Sequence, residues 1–200
     1  MKTKENKISI VIQPIRLDRI KVPIKGKTNL IMARFPEEVK KEILGKQSGI
    51  AKGNKKKVRD TKQEIQDAIH ITSNGEIGFP AFGFKKGMME CTSFVGDKNF
   101  SKKLVSGAVK IMNVDNGLIP IKFGKQTVLE HNVGSNTKFS PMFHNWSCEL
   151  DIEYDQNNIS AQDIITLLNY AGFYNGIGSW RPKGGGGGSG EYGMYEVVTK

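Results

Sequence analysis

The densest basic cluster in the chain consists of four closely spaced cations, Lys55, Lys56, Lys57 and Arg59. They lie in the stretch 45–62, which holds seven Lys or Arg residues against one Asp and is interrupted by three glycines. Such a stretch lacks the apolar residues to bury itself, and cations of this density bind phosphate backbones. A charge run is also typical of a solvated surface. Its position between glycines, without compensating acids on a helix face, favours a mobile arm that clasps a nucleic-acid backbone.

A glycine-rich loop, 183–191, follows an aromatic residue and a cation. Trp180 and Arg181 come before Lys183, which leads into the run Gly184–Gly188. Because glycine lacks a Cβ, backbone amides in such a loop approach phosphates closely, while Trp180 would stack on a base and Arg181 and Lys183 would neutralise phosphates. The run also resembles a flexible linker, and Trp180 is alternatively an ordinary core aromatic. A β-like run after the glycines favours a ligand-contacting loop, although the spacing matches neither a P-loop nor a dinucleotide fingerprint.

Two further cations, Lys85 and Lys86, lie near the N-terminus of a predicted helix. The helix dipole already provides positive potential at that end, so cations are unfavourable there. Their placement becomes favourable when a phosphate binds at the helix N-terminus. The alternative is that both lysines extend into solvent.

The residue types that perform hydrolysis are present but scattered. The three histidines are His70, His131 and His144, and none has a His or Cys neighbour at metal-ligand spacing. Three acids alternate along one predicted strand, namely Glu149, Asp151 and Glu153. Such a row is typical of the solvent-exposed face of a sheet. We therefore expect no metal, no cofactor and no catalytic residue.

The overall charge favours a polyanionic partner. The chain has a formal net charge of +10 and a pI of about 9.5, and phosphate backbones are the commonest cellular polyanions. Cys91 and Cys148 lie in apolar patterns and indicate buried thiols in a reducing compartment. No apolar run approaches the ~20 residues of a membrane helix. We expect a cytoplasmic protein (host cytoplasm if phage-encoded) that has no membrane partner.

The first half of the chain predicts strands, then a long insertion. Residues 8–13 alternate as a strand, and 20–35 is extended, broken by a turn at Lys25-Gly26-Lys27. A short helix opens at Pro36 and closes at Gly45. Asp60 with Gln63 then resembles a capping box that opens a second helix.

The second half predicts a helix–strand–helix–strand series. One helix carries Phe84, Met88, Cys91 and Val95 on one face, and residues 108–130 form strands and hairpins. The clearest elements follow: the strand Ser147–Tyr154, a helix capped by Ser160 and Asp163 and ended by Gly172, and the strand Tyr192–Val198. This order predicts an α+β fold with a ferredoxin-like, or RRM-like, βαββαβ core. We predict a single domain, 1–200, with an insertion at 36–75 that includes the basic arm 45–62.

Three segments in this order resemble a known group of proteins. They are Gly26–Met32, Phe79–Gly87, and the glycine run with Tyr192-Gly193. The sequence is thereby similar to the RAMP superfamily, which forms backbone and processing subunits of CRISPR effector complexes. Residues Gly176–Pro182 also resemble poorly characterised phage and prophage proteins. The resemblance implies a ferredoxin-like fold with a thumb or insertion, and protomers stacked side by side along RNA or single-stranded nucleic acid.

The family's RNA-cleaving acid has no convincing counterpart here, and Asp60 is the only loose candidate. The leading hypothesis is a non-catalytic protein that coats or sequesters single-stranded RNA or DNA as a homo-oligomer or filament. The alternatives are a metal-independent ribonuclease of the RAMP type and a phage anti-defence factor that acts on a host protein. The predicted binding residues are Lys55, Lys56, Lys57, Arg59, Lys85, Lys86, Trp180, Arg181 and Lys183.

Overall fold

The structure is a computed structural model. It describes residues 14–35, 41, 44–45, 47–48, 60–95, 100–133, 136–183 and 190–198. The predicted strand 8–13, most of the helix predicted from Pro36, the basic cluster 55–59 and the glycines 184–188 lie outside the described residues.

Thirteen helices and strands make up the described part of the chain. In chain order they are β1 (Leu17–Gly26), β2 (Leu30–Ile31), α1 (Thr61–Asp67), β3 (Gly78–Pro80), α2 (Ala81–Cys91), α3 (Lys102–Ala108), β4 (Val109–Ile111), β5 (Leu118–Pro120), β6 (Lys125–Val133), β7 (Asn136–His144), β8 (Ser147–Asp155), α4 (Ala161–Tyr170) and β9 (Tyr195–Val197). A 3₁₀ turn, Thr92–Phe94, follows α2, and a π turn, Ala171–Asn175, follows α4.

The central frame is a four-stranded antiparallel sheet in the order β4-β8-β1-β9. Read along the chain, β1, α2, β4, β8, α4 and β9 form a βαββαβ series, which confirms the predicted α+β, ferredoxin-like fold. Two smaller sheets, β2-β7-β6 and β3-β5, are inserted into this frame. No described helix is long and apolar enough to cross a membrane.

One face of the central sheet forms the core. Leu150 and Ile152 of β8 are fully buried and pair in register with Val22 and Ile20 of β1. Strict alternation in β8 places these side chains on one face, as the sequence predicted. Burying each such side chain contributes about 1.5–3 kcal/mol, so this face fixes the register of the sheet.

Helices α2 and α4 cover that face. They contribute the buried side chains Phe84, Met88, Cys91, Ile164, Leu167 and Leu168. The predicted capping box of α4 is confirmed, because Ser160 Oγ accepts from Asp163 N at 3.1 Å and Asp163 Oδ2 accepts from Ser160 N at 2.9 Å. The two helices approach closely at Gly87, where an added Cβ would lie 3.1 Å from Ala171 Cβ.

Three boundary predictions were wrong. The helical segment does not end at Gly172 but continues through the π turn to Asn175, and Gly176, with φ 59°, ends it. Gly172 is instead needed for close packing, since an added Cβ would collide with the carbonyl oxygen of Tyr195. The last strand is shorter than predicted, because only Tyr195–Val197 pairs with β1. The central strand β1 begins at Leu17, within residues predicted in part as a connection.

Candidate nucleic-acid interface

The face of the central sheet opposite the helices carries nearly balanced charge. Its charged side chains, which alternate with those of the core, are four basic and five acidic: Arg19, Lys21, Lys25, Lys110, Glu149, Asp151, Glu153, Asp155 and Glu196. We call this surface the open face. None of its strand positions is aromatic. RNA-recognition modules stack bases on aromatic residues of the sheet, so the open face lacks the groups for that mode.

The most buried pair on the open face joins Arg19 to Asp151. Arg19 Nε and Nη2 lie 2.5 and 2.6 Å from the two carboxylate oxygens of Asp151, whose side chain is only 12% exposed. These hydrogen bonds hold the pKa of the Asp151 carboxyl below its ordinary value of 3.8. Asp151 lies on the face of its strand that the sequence predicted, but its side chain is not exposed there. Arg19 of the neighbouring strand covers its side chain, and its backbone N–H donates to Asn113.

The remaining described pairs on or beside the open face are looser. Lys21 Nζ lies 3.8 Å from Glu149 and Lys27 Nζ lies 3.1 Å from Glu196, with each side chain about half exposed or more. Exposed pairs of this kind contribute little to stability. They nevertheless neutralise the surface, so the open face offers a phosphate backbone no surplus of positive charge.

Trp180 lies in a different part of the molecule, on the loop that follows the π turn. Ser179 N donates to Ile31 O at 2.9 Å, which fixes the loop across β2. Trp180 has a φ of 57°, a left-handed conformation that is unusual for a bulky residue, and it is 37% exposed. The core tryptophan is Trp146, which is fully buried and donates to Thr28 O at 2.8 Å. Trp180 is therefore not a core aromatic.

Glycines make the Trp180 loop possible by close backbone packing. Gly178 and Gly193 have φ values of 79° and 67°. An added Cβ would collide with Ile31 O at Gly178 and with Ile177 O at Gly193. Gly190 lies equally close to the Trp180 backbone, so the chain leaves toward the glycines at Lys183 and returns beside Trp180. The described glycines at this crossing thus serve the packing of this loop.

The hairpin β6–β7 supplies the neighbours of Trp180. The rings of His131 and Trp180 meet edge to face at 5.4 Å and 79°. His131 pairs in register with Lys138, which is exposed, so both side chains lie on one face of the hairpin. His131 Nδ1 is buried and has no hydrogen-bond partner.

Arg181 lies next to Trp180 in the chain. Its guanidinium donates from Nε to Lys183 O and from Nη1 to Gly178 O, both at 3.2 Å. These bonds use two of the five N–H groups of arginine, and the others can donate to a phosphate. We call Trp180, Arg181, His131 and Lys138 the Trp180 cluster.

Two predicted cations have partners inside the protein. Lys85 Nζ donates to Ser106 O of α3 at 2.8 Å, and burial together with the charge of Lys110 lowers the pKa of its ammonium. Lys183 Nζ lies 3.5 Å from Glu90 of α2. Lys86 is exposed on α2.

The structure thus brings together Trp180 and Arg181 of the predicted set and adds His131 and Lys138. Sequence reasoning did not connect these two residues with Trp180, because that connection depends on the hairpin register and on the loop crossing β2. The available signal was the alternation of side chains along residues 125–133, which indicates a strand but not its partner.

The residue types that could perform hydrolysis are scattered in the described part of the chain. There, no group of three His, Cys, Asp or Glu side chains could hold a metal ion. Asp60 caps α1, where its carboxylate accepts from the backbone N–H groups of Lys62 and Gln63. Burial raises the pKa of the Cys91 thiol to about 11 and that of Cys148 to about 12, which disfavours nucleophilic thiolates.

No family model matches the chain, and no curated protein matches its sequence. Among solved structures, a chain in the cryo-EM structure of the Type III-B Cmr-beta complex bound to cognate target RNA is similar, with a TM-score of 0.54 and 10% identity. The match covers 92% of this chain and 60% of that one. The crystal structure of Cmr6 from Pyrococcus furiosus matches with a TM-score of 0.43 and 10% identity, over 92% of this chain and 100% of that one. The likeness to the Cmr-beta chain concerns the fold alone and agrees with the predicted fold.

Proposed function

We propose that the protein binds single-stranded nucleic acid, RNA or DNA, through backbone contacts and base stacking, and that several copies coat or sequester one strand. The observation that carries this proposal is the Trp180 cluster, in which a partly exposed, conformationally strained tryptophan packs on His131 and precedes Arg181, while Lys138 is the cross-strand neighbour of His131. Aromatic rings next to cations are the elements of sequence-tolerant binding to single strands. The similar Cmr-beta structure was solved with target RNA, which favours RNA as the first ligand to test.

The distribution of charge supports the same function. The four basic and five acidic side chains of the open face nearly cancel, so the net charge of +10 arises elsewhere on the chain. The cluster of Lys55, Lys56, Lys57 and Arg59 lies outside the described residues and is the largest local source of that charge. We propose that it supplies phosphate contacts in addition to those of the Trp180 cluster.

A salt titration of binding to labelled single-stranded RNA and DNA tests the proposal. For a single strand, affinity decreases with salt, and the slope of log K against log salt becomes shallower by about 0.7 for each lost phosphate contact. Replacing all four basic residues by Ala therefore makes the slope shallower by up to about 3. The control replaces Lys21, Lys25 and Lys110 of the open face by Ala and leaves the slope close to that of the wild type. Affinity that is independent of salt, or equal effects of the two variants, contradicts backbone binding at these sites.

The same incubation distinguishes the other functions. If the protein cleaves the labelled RNA and Asp60→Ala abolishes the cleavage, the protein is a ribonuclease and the proposal is wrong. Tight capture of a host protein that survives nuclease treatment, without affinity for either nucleic acid, would replace it by a factor that acts on proteins.

A further inference from the structure

Four aromatic side chains form an exposed group on the helical side of the molecule. We call Phe94, Tyr170, Phe173 and Tyr174 the aromatic patch. The rings of Phe94 and Tyr174 stack at 4.4 Å and 13°, and Phe173 meets Tyr174 edge to face at 5.1 Å and 87°. Exposure is 57% for Phe173, 48% for Phe94 and 42% for Tyr174. The rings thus pack on each other while a large part of their surface faces solvent.

The patch is a consequence of how α2 and α4 end. The buried stripe of α4 runs through Leu167, Leu168 and Ala171 and reaches Asn175 through the π turn. Phe173 and Tyr174 fall between these positions and so lie off the stripe. Phe94 reaches them from the 3₁₀ turn after α2. With rings of this size about half exposed, roughly 300 Å² of ring surface remains accessible, which is the size of a patch that is often functional.

The stretch of chain that carries three of the four rings is almost free of charge. Residues 161–180 contain a single charged residue, Asp163, which is bonded within the capping box of Ser160. A surface that binds phosphates needs cations, and this stretch provides none. Depletion of charge together with enrichment of Phe and Tyr is typical of the centre of a protein–protein interface. The patch therefore suits a protein partner.

Charge also indicates which protein. Two copies that each carry a net charge of +10 repel one another overall, so a contact between them is least unfavourable on a surface without cations. The patch is such a surface, and at its edge stands one acid with one base, Glu90 and Lys183, 3.5 Å apart. Glu90 precedes Phe94 by one helical turn, and Asn175 of the π turn lies 3.3 Å from its carboxylate. In a two-fold contact, this edge is self-complementary, because Lys183 of each copy can face Glu90 of the other.

We propose that a second copy of this chain packs on the aromatic patch in a two-fold symmetric dimer, with Phe94, Phe173 and Tyr174 at its centre. The inference names the contact between copies and rests on the part of the proposed function in which several copies bind one strand. The patch alone is smaller than the roughly 800 Å² that each partner contributes to a standard interface, so it is the apolar centre of a larger contact.

Sedimentation equilibrium of the full chain without nucleic acid tests the dimer. We expect the wild type to dimerise as its concentration rises, and Phe173→Lys/Tyr174→Lys to require at least about tenfold higher concentration, since buried charge at an interface centre is unfavourable. The variant Phe173→Ala/Tyr174→Ala should also dimerise more weakly. A thermal melt like that of the wild type shows that this loss is not caused by misfolding. The control is Phe82→Lys, because Phe82 is 65% exposed on α2 outside the patch. A wild type that stays monomeric, or variants that dimerise as it does, overturns the proposal.

Charge reversal at the edge tests the symmetry. Glu90→Lys and Lys183→Glu each weaken self-association, because each creates like charges facing like charges across the two-fold axis. An equimolar mixture of the two variants should associate more tightly than either alone. A mixture that associates no better than its components overturns the two-fold arrangement.

A short oligonucleotide that spans a single protomer separates this inference from the proposed function. Wild type and Phe173→Ala/Tyr174→Ala should bind it equally, because the patch lies outside the Trp180 cluster. Equal binding with unchanged dimerisation overturns the role of the patch alone. Dimerisation without binding by either protein overturns the proposed function and leaves the patch intact.

Discussion

The open face is displayed on β-strands, and the Trp180 cluster on the hairpin β6–β7 and the loop after the π turn; the two surfaces use charge in opposite ways. On the open face, Glu149 lies 3.8 Å from Lys21 of the paired strand, and Arg19 with Asp151 forms a two-bond pair at 2.5 and 2.6 Å. In the Trp180 cluster, the only ring contact of Trp180 among the described residues is with His131, and Lys138 stands opposite without an acid in register. The charged groups of the open face are largely paired with each other, whereas the Trp180 cluster retains a ring and cations that can bind a ligand.

The difference shows that a ferredoxin-like frame does not dictate where a ligand would bind. RNA-recognition modules use the open sheet face of the same frame for base stacking. Here that face stabilises the sheet, and the aromatic and cationic groups lie on inserted elements, β6, β7 and the loop after the π turn. Function must therefore be argued from the site rather than from the fold.

The largest effect should come from the glycines that build the Trp180 loop. Gly193→Ala forces a side chain into a φ of 67° against Ile177 O, and we expect it to lower the free energy of unfolding by about 2–4 kcal/mol. Gly107→Ala is the matched control, because no atom lies within 4 Å of its added Cβ and a helical Ala stabilises by about 0.5–1 kcal/mol. Urea denaturation measures both. Similar stabilities for the two variants would show that the crossing at Gly193 is not tightly packed.

Replacing the exposed tryptophan should have the next largest effect. Trp180→Ala removes one stacking ring, which is worth about 1–3 kcal/mol, so the Kd for single-stranded RNA should rise about 10- to 100-fold. Trp180→Phe keeps a ring and should retain most of the affinity. Fluorescence anisotropy with labelled RNA measures both variants, and wild-type affinity of Trp180→Ala would remove the cluster from the binding surface.

A smaller effect should follow from removing one positive charge from the Trp180 cluster or from the open face. Arg181→Gln and Lys21→Gln each remove one positive charge, but only Arg181 belongs to the Trp180 cluster. We expect Arg181→Gln to reduce the slope of log K against log salt by about 0.7, and Lys21→Gln to leave it unchanged. Thermal melts of both variants check that the loop, which Arg181 bonds at Gly178, remains folded. Equal slopes would mean that net charge alone governs binding.

The smallest effect concerns the acid stability of the open face. Because Arg19 lowers the pKa of Asp151, this carboxylate stabilises the fold above its ordinary value of 3.8 and loses that contribution as the pH falls through its lower folded value. Asp151→Asn should therefore flatten the decline of stability below about pH 4. Glu149→Gln, at a side chain that is 55% exposed, should leave the decline unchanged. Chemical denaturation at a series of acid pH values compares them.

Local patterns predicted the elements that alternation and capping determine. β8 follows from the strict alternation of Cys148, Leu150 and Ile152, and α4 follows from Ser160 with Asp163, because both signals act within a few residues. The order of these elements was sufficient for the ferredoxin-like frame.

Contacts between distant parts of the chain were beyond the same reasoning. Asp151 meets Arg19 across 132 residues, so its burial depends on a register that no local pattern specifies. Lys85 was assigned to a helix N-terminus, but its partner Ser106 belongs to a helix 21 residues later. The neighbours of Trp180 were missed for the same reason, since His131 reaches it only after the loop crosses β2.

The two tryptophans differ in a way that gives the protein its own optical probe. Trp146 is fully buried, bonded to Thr28 and packed on Tyr195, with ring centres 6.2 Å apart. Its emission should report only the integrity of the core. Trp180 is partly exposed, so a ligand stacked on it would quench its emission while that of Trp146 persists. Unlabelled protein can therefore signal occupancy and unfolding separately, at two ends of one fluorescence spectrum.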